Sequence, residues 1–307
     1  MIILLAALAL WLWTPDKDRA ELERLYLAAP TDMVALAAPA TTRLQERLQV
    51  RLHVRDTGPK DAPAVILLHG FGASLHTWEP WALALAATHR VIRFDLPGSG
   101  LSPPDPGGDY TDARSRQLLL VLMDQLGLAR ASLVGHSIGG RIAWGFAAEH
   151  PERVDKLVLV APDGFASPGF EYGKAPEVPA TARLMRHVLP ESLLRMSLEP
   201  AYADPAALTD AMALRYHDLM RAPGSRDALL ARMAQTVLRD PVPVLQRIRA
   251  PTLLLWGEQD AMIPLVNSAD YLKAIPQATR VSLAGVGHLP HEEAPEQSLL
   301  PVIEFLR

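Results

Sequence analysis

The chain has 307 residues, a formal net charge of −4 and 49% hydrophobic residues, enough for one large α/β domain or two small ones. It has no basic stripe of the kind that holds nucleic acid. The absence of cysteine excludes disulfides, thiolate catalysis and cysteine-ligated metals.

The first stretch, MIILLAALALWLW, is apolar and is stopped by Thr14, Pro15, Asp16 and Lys17. As a helix it would reach only about 20 Å, short of the roughly 30 Å hydrocarbon core. Trp11 and Trp13 suit a membrane interface. Residues 1–15 therefore read as an anchor or a cleaved signal segment, which would make the protein membrane-associated or exported; the competing reading is a buried terminal helix. Residues 16–48 show helical spacing at Leu22, Leu25 and Tyr26, followed by a Pro- and Ala-rich run. They read as a stalk or packed extension.

From Gln49 the pattern alternates, with Val50, Leu52 and Val54 apolar and Arg51, His53 and Arg55 polar, as in a half-buried antiparallel strand. Six short apolar runs follow, at 64–68, 90–94, 131–135, 154–161, 252–256 and 280–285, mostly separated by helix-length stretches. This is the order of a parallel sheet covered on both faces. Residues 49–162 and 246–307 form that core. Residues 163–245 contain no convincing strand and carry Met185, Met196, Met212, Met220 and Met233. They read as a helical insertion.

The stretch LVGHSIGG sets Ser137 between Gly135 and Gly139, where a strand ends and a helix begins. That context makes G-x-S-x-G a nucleophile elbow, with the helix N-terminus aimed at the serine. A serine needs a base, and the base needs a carboxylate to orient it. Asp260 and His288 follow in that order, each in the loop after a strand, and parallel strands bring such loops to one edge. An oxyanion site needs the N–H of the residue after the nucleophile, Ile138, and one from an earlier loop, where HGFG offers Phe71. Asp95 reads as a turn-fixing residue, and His69 and His136 as residues that orient loops. His291 and Glu292 read as the first turn of the last helix. No metal-ligand pattern, phosphate loop or dinucleotide fingerprint is present.

The segments LLHGFGAS, VIRFDLPGSGLS, LVGHSIGG, LLLWGEQDAMIP and GVGHLPHEEAPE, in this order, resemble the α/β-hydrolase fold family over roughly residues 49–307. The similar branch includes esterases, epoxide hydrolases, haloalkane dehalogenases and carbon–carbon bond hydrolases. The resemblance implies an α/β fold with a mostly parallel eight-stranded sheet and a helical cap inserted after the sixth strand. It also implies Ser137, Asp260 and His288 as a catalytic triad, with Phe71 and Ile138 as oxyanion donors. Some relatives place the acid after the sixth strand, where this chain has Asp163, which is the alternative to Asp260. Epoxide hydrolases and dehalogenases of this branch use an aspartate nucleophile, which Ser137 argues against. Similar carbon–carbon hydrolases often carry Trp after the catalytic histidine, where this chain has Leu289.

The expected activity is hydrolysis of a small lipophilic carboxylic ester through an acyl-enzyme, with no cofactor, no metal and no nucleic-acid partner. The alternatives are a carbon–carbon bond hydrolase of the meta-cleavage-product type and a hydrolase-fold small-molecule receptor with little turnover. Residues 1–15 are expected to take no part in chemistry, and the candidate catalytic residues all lie after residue 68, so a chain starting near Thr41 is expected to be soluble and to keep its esterase activity.

Overall fold

The computed structural model describes residues 12–36, 49–165 and 171–307. Residues 1–11 of the apolar segment, 37–48 of the extension and 166–170 of the insertion lie outside the described residues.

Eight strands form one sheet: β1 (Met33–Ala35), β2 (Arg51–Thr57), β3 (Ala64–Leu68), β4 (Arg90–Phe94), β5 (Ala131–His136), β6 (Val154–Val160), β7 (Thr252–Gly257) and β8 (Ala278–Leu283). Their spatial order is β1-β2-β4-β3-β5-β6-β7-β8. The pairs β1–β2 and β2–β4 are antiparallel and all others parallel. The sheet is thus the mostly parallel, eight-stranded α/β architecture expected.

The helices, in chain order, are α1 (Arg19–Tyr26), α2 (Glu79–Leu85), α3 (Asp112–Gln125), α4 (Ile138–Glu149), α5 (Ala180–Arg183), α6 (Glu191–Leu198), α7 (Asp210–Met220), α8 (Ser225–Gln235), α9 (Val242–Leu245), α10 (Ser268–Ala274), α11 (Pro290–Glu293) and α12 (Pro295–Leu306). The central strands are apolar without a break because alternate residues feed two cores. Ile66, Leu133, Leu157 and Leu254 pack with Leu119 and Leu122 of α3 and Ile142 and Phe146 of α4. Val65, Val134, Val158 and Leu255 pack on the opposite face with Trp78, Trp81 of α2 and Leu299 and Val302 of α12.

Helices α5 to α8, with the 3-10 turn Leu184–Arg186 that follows α5, lie between β6 and β7 in sequence and bring Met185, Leu194, Leu198 and Met220 over the carboxyl edge of the strands, beside Ser137. The described part of the N-terminal extension is packed, not a free stalk. Leu22 of α1 is fully buried with Leu101, Leu219 and Ala222. Lys17 Nζ and Tyr26 Oη both bind the buried Asp218 carboxylate of α7 at 2.9 Å. Within residues 1–15, Trp13 bridges to Val188 and the Thr14 N–H donates to the His187 carbonyl at 2.8 Å. The extension also supplies β1, so the sheet begins sixteen residues before Gln49. Among the described residues no helix is long and apolar enough to cross a membrane.

Candidate active site

The elbow forms where β5 ends at His136 and α4 begins at Ile138. Ser137 itself adopts φ 52° and ψ −119°, a conformation that costs a non-glycine residue on the order of 1–3 kcal/mol. The flanking glycines have a different cause, since neither has a positive φ. A Cβ on Gly135 would stand 2.4 Å from the Gly139 carbonyl oxygen, and one on Gly139 would stand 2.3 Å from that of Leu68. The strained turn closes only because α4 can lie directly against β3 and β5. Three bonds hold the turn: the Ser137 N–H donates to Val160 O, and Ser137 O accepts from the N–H groups of Arg141 and Asp163.

Asp260 follows β7 and His288 follows β8, on the same edge. His288 Nδ1–H donates to Asp260 Oδ2 at 2.8 Å, with both residues 5% exposed. The other carboxylate oxygen accepts the N–H groups of Met262 and Ile263 at 2.9 and 2.8 Å. Three N–H donors thus converge on this one carboxylate, which fixes its orientation toward His288. Nδ1 being engaged, Nε2 of His288 is the nitrogen left for chemistry. No hydrogen bond joins it to Ser137 Oγ among the described residues, but both side chains line one cavity of about 560 Å³. A contact of this kind commonly tightens only once substrate is bound.

Asp163 is placed elsewhere. Its carboxylate forms a short ion pair with the buried Arg141 of α4, which also binds Asp112 at 2.7 Å. Its carbonyl accepts from Trp144 Nε1. Asp163 therefore buttresses α4 behind the elbow and does not contact His288.

Phe71 lies in the turn after β3 and its side chain lines the cavity. Neither its N–H nor that of Ile138 donates to another described residue. Both are free for an oxygen bound beside Ser137, the Ile138 N–H being one of the orphan donors at the start of α4.

The neighbouring polar residues set this geometry. Asp95 accepts the N–H groups of Leu75 and Leu101 and the His53 ring N–H. Burial works to raise its carboxyl, but the adjacent His53 outweighs it and holds the group at about 2. The His69 ring donates to Gly70 O and accepts from the Leu96 N–H, which fixes one neutral tautomer. His136 Nε2–H donates to the carbonyl of His288 at 2.9 Å. Burial first, then the neighbouring His288 and His291, push the His136 ring well below its ordinary value and keep it neutral.

Sequence reasoning missed one group. Glu292 sits in the short helix α11, ahead of the last helix. Its side chain is buried, ion-paired with Arg215 and hydrogen-bonded by Tyr216 Oη at 2.6 Å and Tyr202 Oη at 3.3 Å. Its neighbour Glu293 accepts the N–H of Gly287 at 2.6 Å and that of Asp204 at 2.9 Å. These two carboxylates tie the helical insertion to the loop that carries His288. The only sequence signal for them is the pair of acids just after His288, whose partners lie far away in the chain.

A family model for the alpha/beta hydrolase fold matches residues 63–295. A 2-hydroxy-6-oxononadienedioate/2-hydroxy-6-oxononatrienedioate hydrolase of Burkholderia vietnamiensis is 31% identical over 293 residues, covering 90% of this chain and 99% of the relative. The magnesium-chelatase 30 kDa subunit of Rhodobacter capsulatus is 33% identical over 262 residues, or 82% and 90% of the two chains. A solved thermophilic esterase of Thermogutta terrifontis superposes with a TM-score of 0.70 at 26% identity, covering 90% and 98%. The elbow at Ser137, the eight-stranded sheet and these matches agree: the chain belongs to the α/β-hydrolase family.

Proposed function

We propose that this hydrolase uses Ser137 to cleave, with water, a carbon–carbon bond beside a ketone; its Burkholderia relative is named a hydrolase of 2-hydroxy-6-oxononadienedioate, whose 6-oxo group offers such a ketone. The observation that carries the reading is the buried Asp260–His288 pair sharing an apolar cavity with Ser137. His288 Nε2 takes the Ser137 proton as the oxygen attacks the ketone carbon. The Phe71 and Ile138 N–H groups receive the oxyanion. The carbon–carbon bond then breaks; its electron pair is delocalised into the keto tautomer of the substrate's conjugated 2-hydroxy group, and the departing carbon takes the proton back from His288. A water activated by His288 releases the acyl group as a carboxylic acid. The ketone and one water thus become an acid and a protonated carbon fragment. The likeness in sequence favours this reading over the ester hydrolase expected from the motifs.

One observation favours ester or lactone hydrolysis by the same steps, with an alcohol as leaving group. No Lys or Arg lines the cavity among the described residues, whereas a dienedioate carries two carboxylates to be held. Arg215 is committed to Glu292, Arg195 to Asp210, and Arg186 to Asp227. Turnover of 2-hydroxy-6-oxononadienedioate, followed beside a graded series of p-nitrophenyl esters, separates the two. A kcat/KM for the dienedioate at least 10²-fold above that of the best ester is expected. The reverse order would establish the ester reading. Binding of both without turnover would reject each and leave a receptor.

A further inference from the structure

Helix α1 ends at Tyr26, and the last carbonyls of a helix have no partner within it. The core supplies partners here. Tyr26 O accepts from Arg55 Nη2 of β2 and from the His76 ring Nε2, each at 3.0 Å. A carbonyl only accepts, so Nε2 of His76 carries the proton. Burial first holds this ring at about 4, so at neutral pH it is uncharged and its Nδ1 is an acceptor. The Ser74 hydroxyl therefore donates to Nδ1, at 3.3 Å. Ser74 and His76 are both buried.

Ser74 directly follows the turn Gly70–Ala73, which carries Phe71. A donor kept free for an oxyanion cannot secure its own turn, and the Phe71 side chain is 42% exposed, so the turn has to be held by its neighbours. The Ala73 N–H donates to Gly70 O at 3.3 Å, and the Leu75 N–H to Asp95 Oδ1 at 2.6 Å. The bonds from Ser74 to His76 and from His76 to Tyr26 O extend this hold to the N-terminal extension. Tyr26 also reaches the turn from the other side. Its Oη donates to Asp218 of α7, and Met220 at the end of α7 lies against Gly72, where a Cβ would stand 3.0 Å from the Met220 methyl carbon.

We propose that the N-terminal extension is a working part of the active site: Tyr26, through His76 and Ser74 on one side and α7 on the other, sets the turn Gly70–Ala73 so that the Phe71 N–H points to the oxyanion, which makes His76 a positioning residue. The hold on the turn stands independently of the reaction; its effect on rate rests on the proposed role of Phe71 as an oxyanion donor.

In the full chain, His76→Phe keeps a ring beside Tyr26 and removes both hydrogen bonds. Amide exchange at Ala73 and Leu75 should quicken by roughly tenfold, the scale of a lost hydrogen bond. Phosphonylation of Ser137 by a fluorophosphonate, which needs the oxyanion site whatever the natural substrate, should slow by roughly ten- to a hundredfold, the scale of a misplaced donor. KM should stay nearly unchanged while kcat falls. Ser74→Ala, which leaves the extension and His76 in place, should act alike, and the double variant should be no slower than His76→Phe alone. His76→Asn can still accept from Ser74 but is too short to reach Tyr26, so it should be as slow as His76→Phe. Unchanged exchange in both single variants would overturn the proposal, as would effects that multiply in the double variant. Parental rates for His76→Asn would remove the extension from the hold. A lower melting temperature with an unchanged phosphonylation rate per folded molecule would reduce His76 to a structural residue. Faster exchange with an unchanged phosphonylation rate would instead strike Phe71 as a donor, overturning the effect on rate through the reading it rests on.

Discussion

The ring of His136 donates its Nε2–H to the main-chain oxygen of His288 across 2.9 Å, so the residue just before the elbow serine holds the backbone of its proposed base. The two rings also lie 4.6 Å apart between centroids. β5 and the loop after β8 are thereby locked together at the point where proton transfer would occur.

Removing that donor should loosen the base without touching the substrate. His136→Phe leaves the His288 carbonyl unpaired in a buried site, whereas His136→Gln retains an N–H. A misplacement of about 1 Å can cost about 10²-fold in rate. The expected result is a fall in kcat of that order for His136→Phe, with KM nearly unchanged, and a smaller fall for His136→Gln. A change confined to KM would place His136 in substrate binding instead.

Ser137 should be the covalent nucleophile, labelled once by a fluorophosphonate probe. Ser137→Ala should abolish labelling and cut turnover by roughly 10⁴ to 10⁶. The backbone adds a second expectation. At φ 52° and ψ −119° a glycine is unstrained, so Ser137→Gly should be equally inactive yet more stable than Ser137→Ala by about 1 kcal/mol. Thermal melts of the two variants check this, and equal melting temperatures would contradict the strain argument.

The two candidate acids differ in what their loss should do. Asp260→Asn removes the carboxylate that orients His288, which should cost about 10⁴ in kcat with the fold intact. Asp163→Asn breaks an ion pair to a buried arginine behind the elbow. Its main effect should be a loss of stability of about 3 kcal/mol, by analogy with broken buried pairs. Measuring kcat and melting temperature for both variants separates them. A 10⁴-fold loss of turnover for Asp163→Asn with an unchanged melt would exchange the two roles.

The parts of the molecule legible in its sequence are those whose cause is local. The central strands are continuous apolar runs because both faces are covered, and the elbow is a strand, a glycine-flanked serine and a helix in immediate succession. The strand Met33–Ala35 was not legible. Three residues carry no readable alternation, and its existence depends on pairing with Arg51, Leu52 and His53. The sequence favours Asp260 over Asp163 without separating them physically, since each follows a strand on the same edge; what parts them is the Arg141 side chain, which pairs with Asp163, while Asp260 meets His288. The roles of Glu292 and Glu293 rest on Arg215, Tyr216 and the Asp204 N–H, which only the packed insertion brings near.

Stability should fall on acidification well before the carboxylates protonate. Burial first holds His76 at about 4, and it holds His136 and His291 well below their ordinary value. A histidine whose folded value is depressed favours the fold while neutral. Its contribution is complete above the unfolded value of about 6.5 and is lost as pH falls toward the folded one, by about 1.4 kcal/mol per pH unit for each group. The Asp95 contribution also belongs to a depressed group, but it persists until pH drops below about 4. Melting temperature should therefore decline steadily from pH 6.5 to pH 4. His291 is fully buried, stacks on Trp78 at 4.1 Å and, among the described residues, has no hydrogen-bond partner on either ring nitrogen. His291→Phe should thus gain more stability at pH 5 than at pH 8. An equal effect at both would remove His291 from the acid response.

Truncation should harm the protein, contrary to the expectation that a chain starting near Thr41 keeps its activity. Such a chain loses Lys17 and Tyr26, both bound to the Asp218 carboxylate of α7. It also loses Leu22 from its cluster with Leu219, and the Asp16 and Thr14 partners of Arg226 on α8. Asp218 is 3% exposed. Stripping a buried charge of its partner costs about 3–5 kcal/mol, and vacating a buried leucine site costs about 2–5 kcal/mol more. Because α7 and α8 supply Tyr216, Met220 and Leu229 to the cavity wall, this loss should reach the substrate site and not only the surface. The truncated chain should melt at least 10 °C lower than the full one and show a raised KM. Asp218→Asn in the truncated chain should recover part of the melting temperature, because a neutral amide tolerates the lost partners better than a carboxylate does. An unchanged melt after truncation would mean that the extension adds no stability to the insertion, and no recovery with Asp218→Asn would assign the loss to Leu22 and the Arg226 partners instead of to the stranded carboxylate.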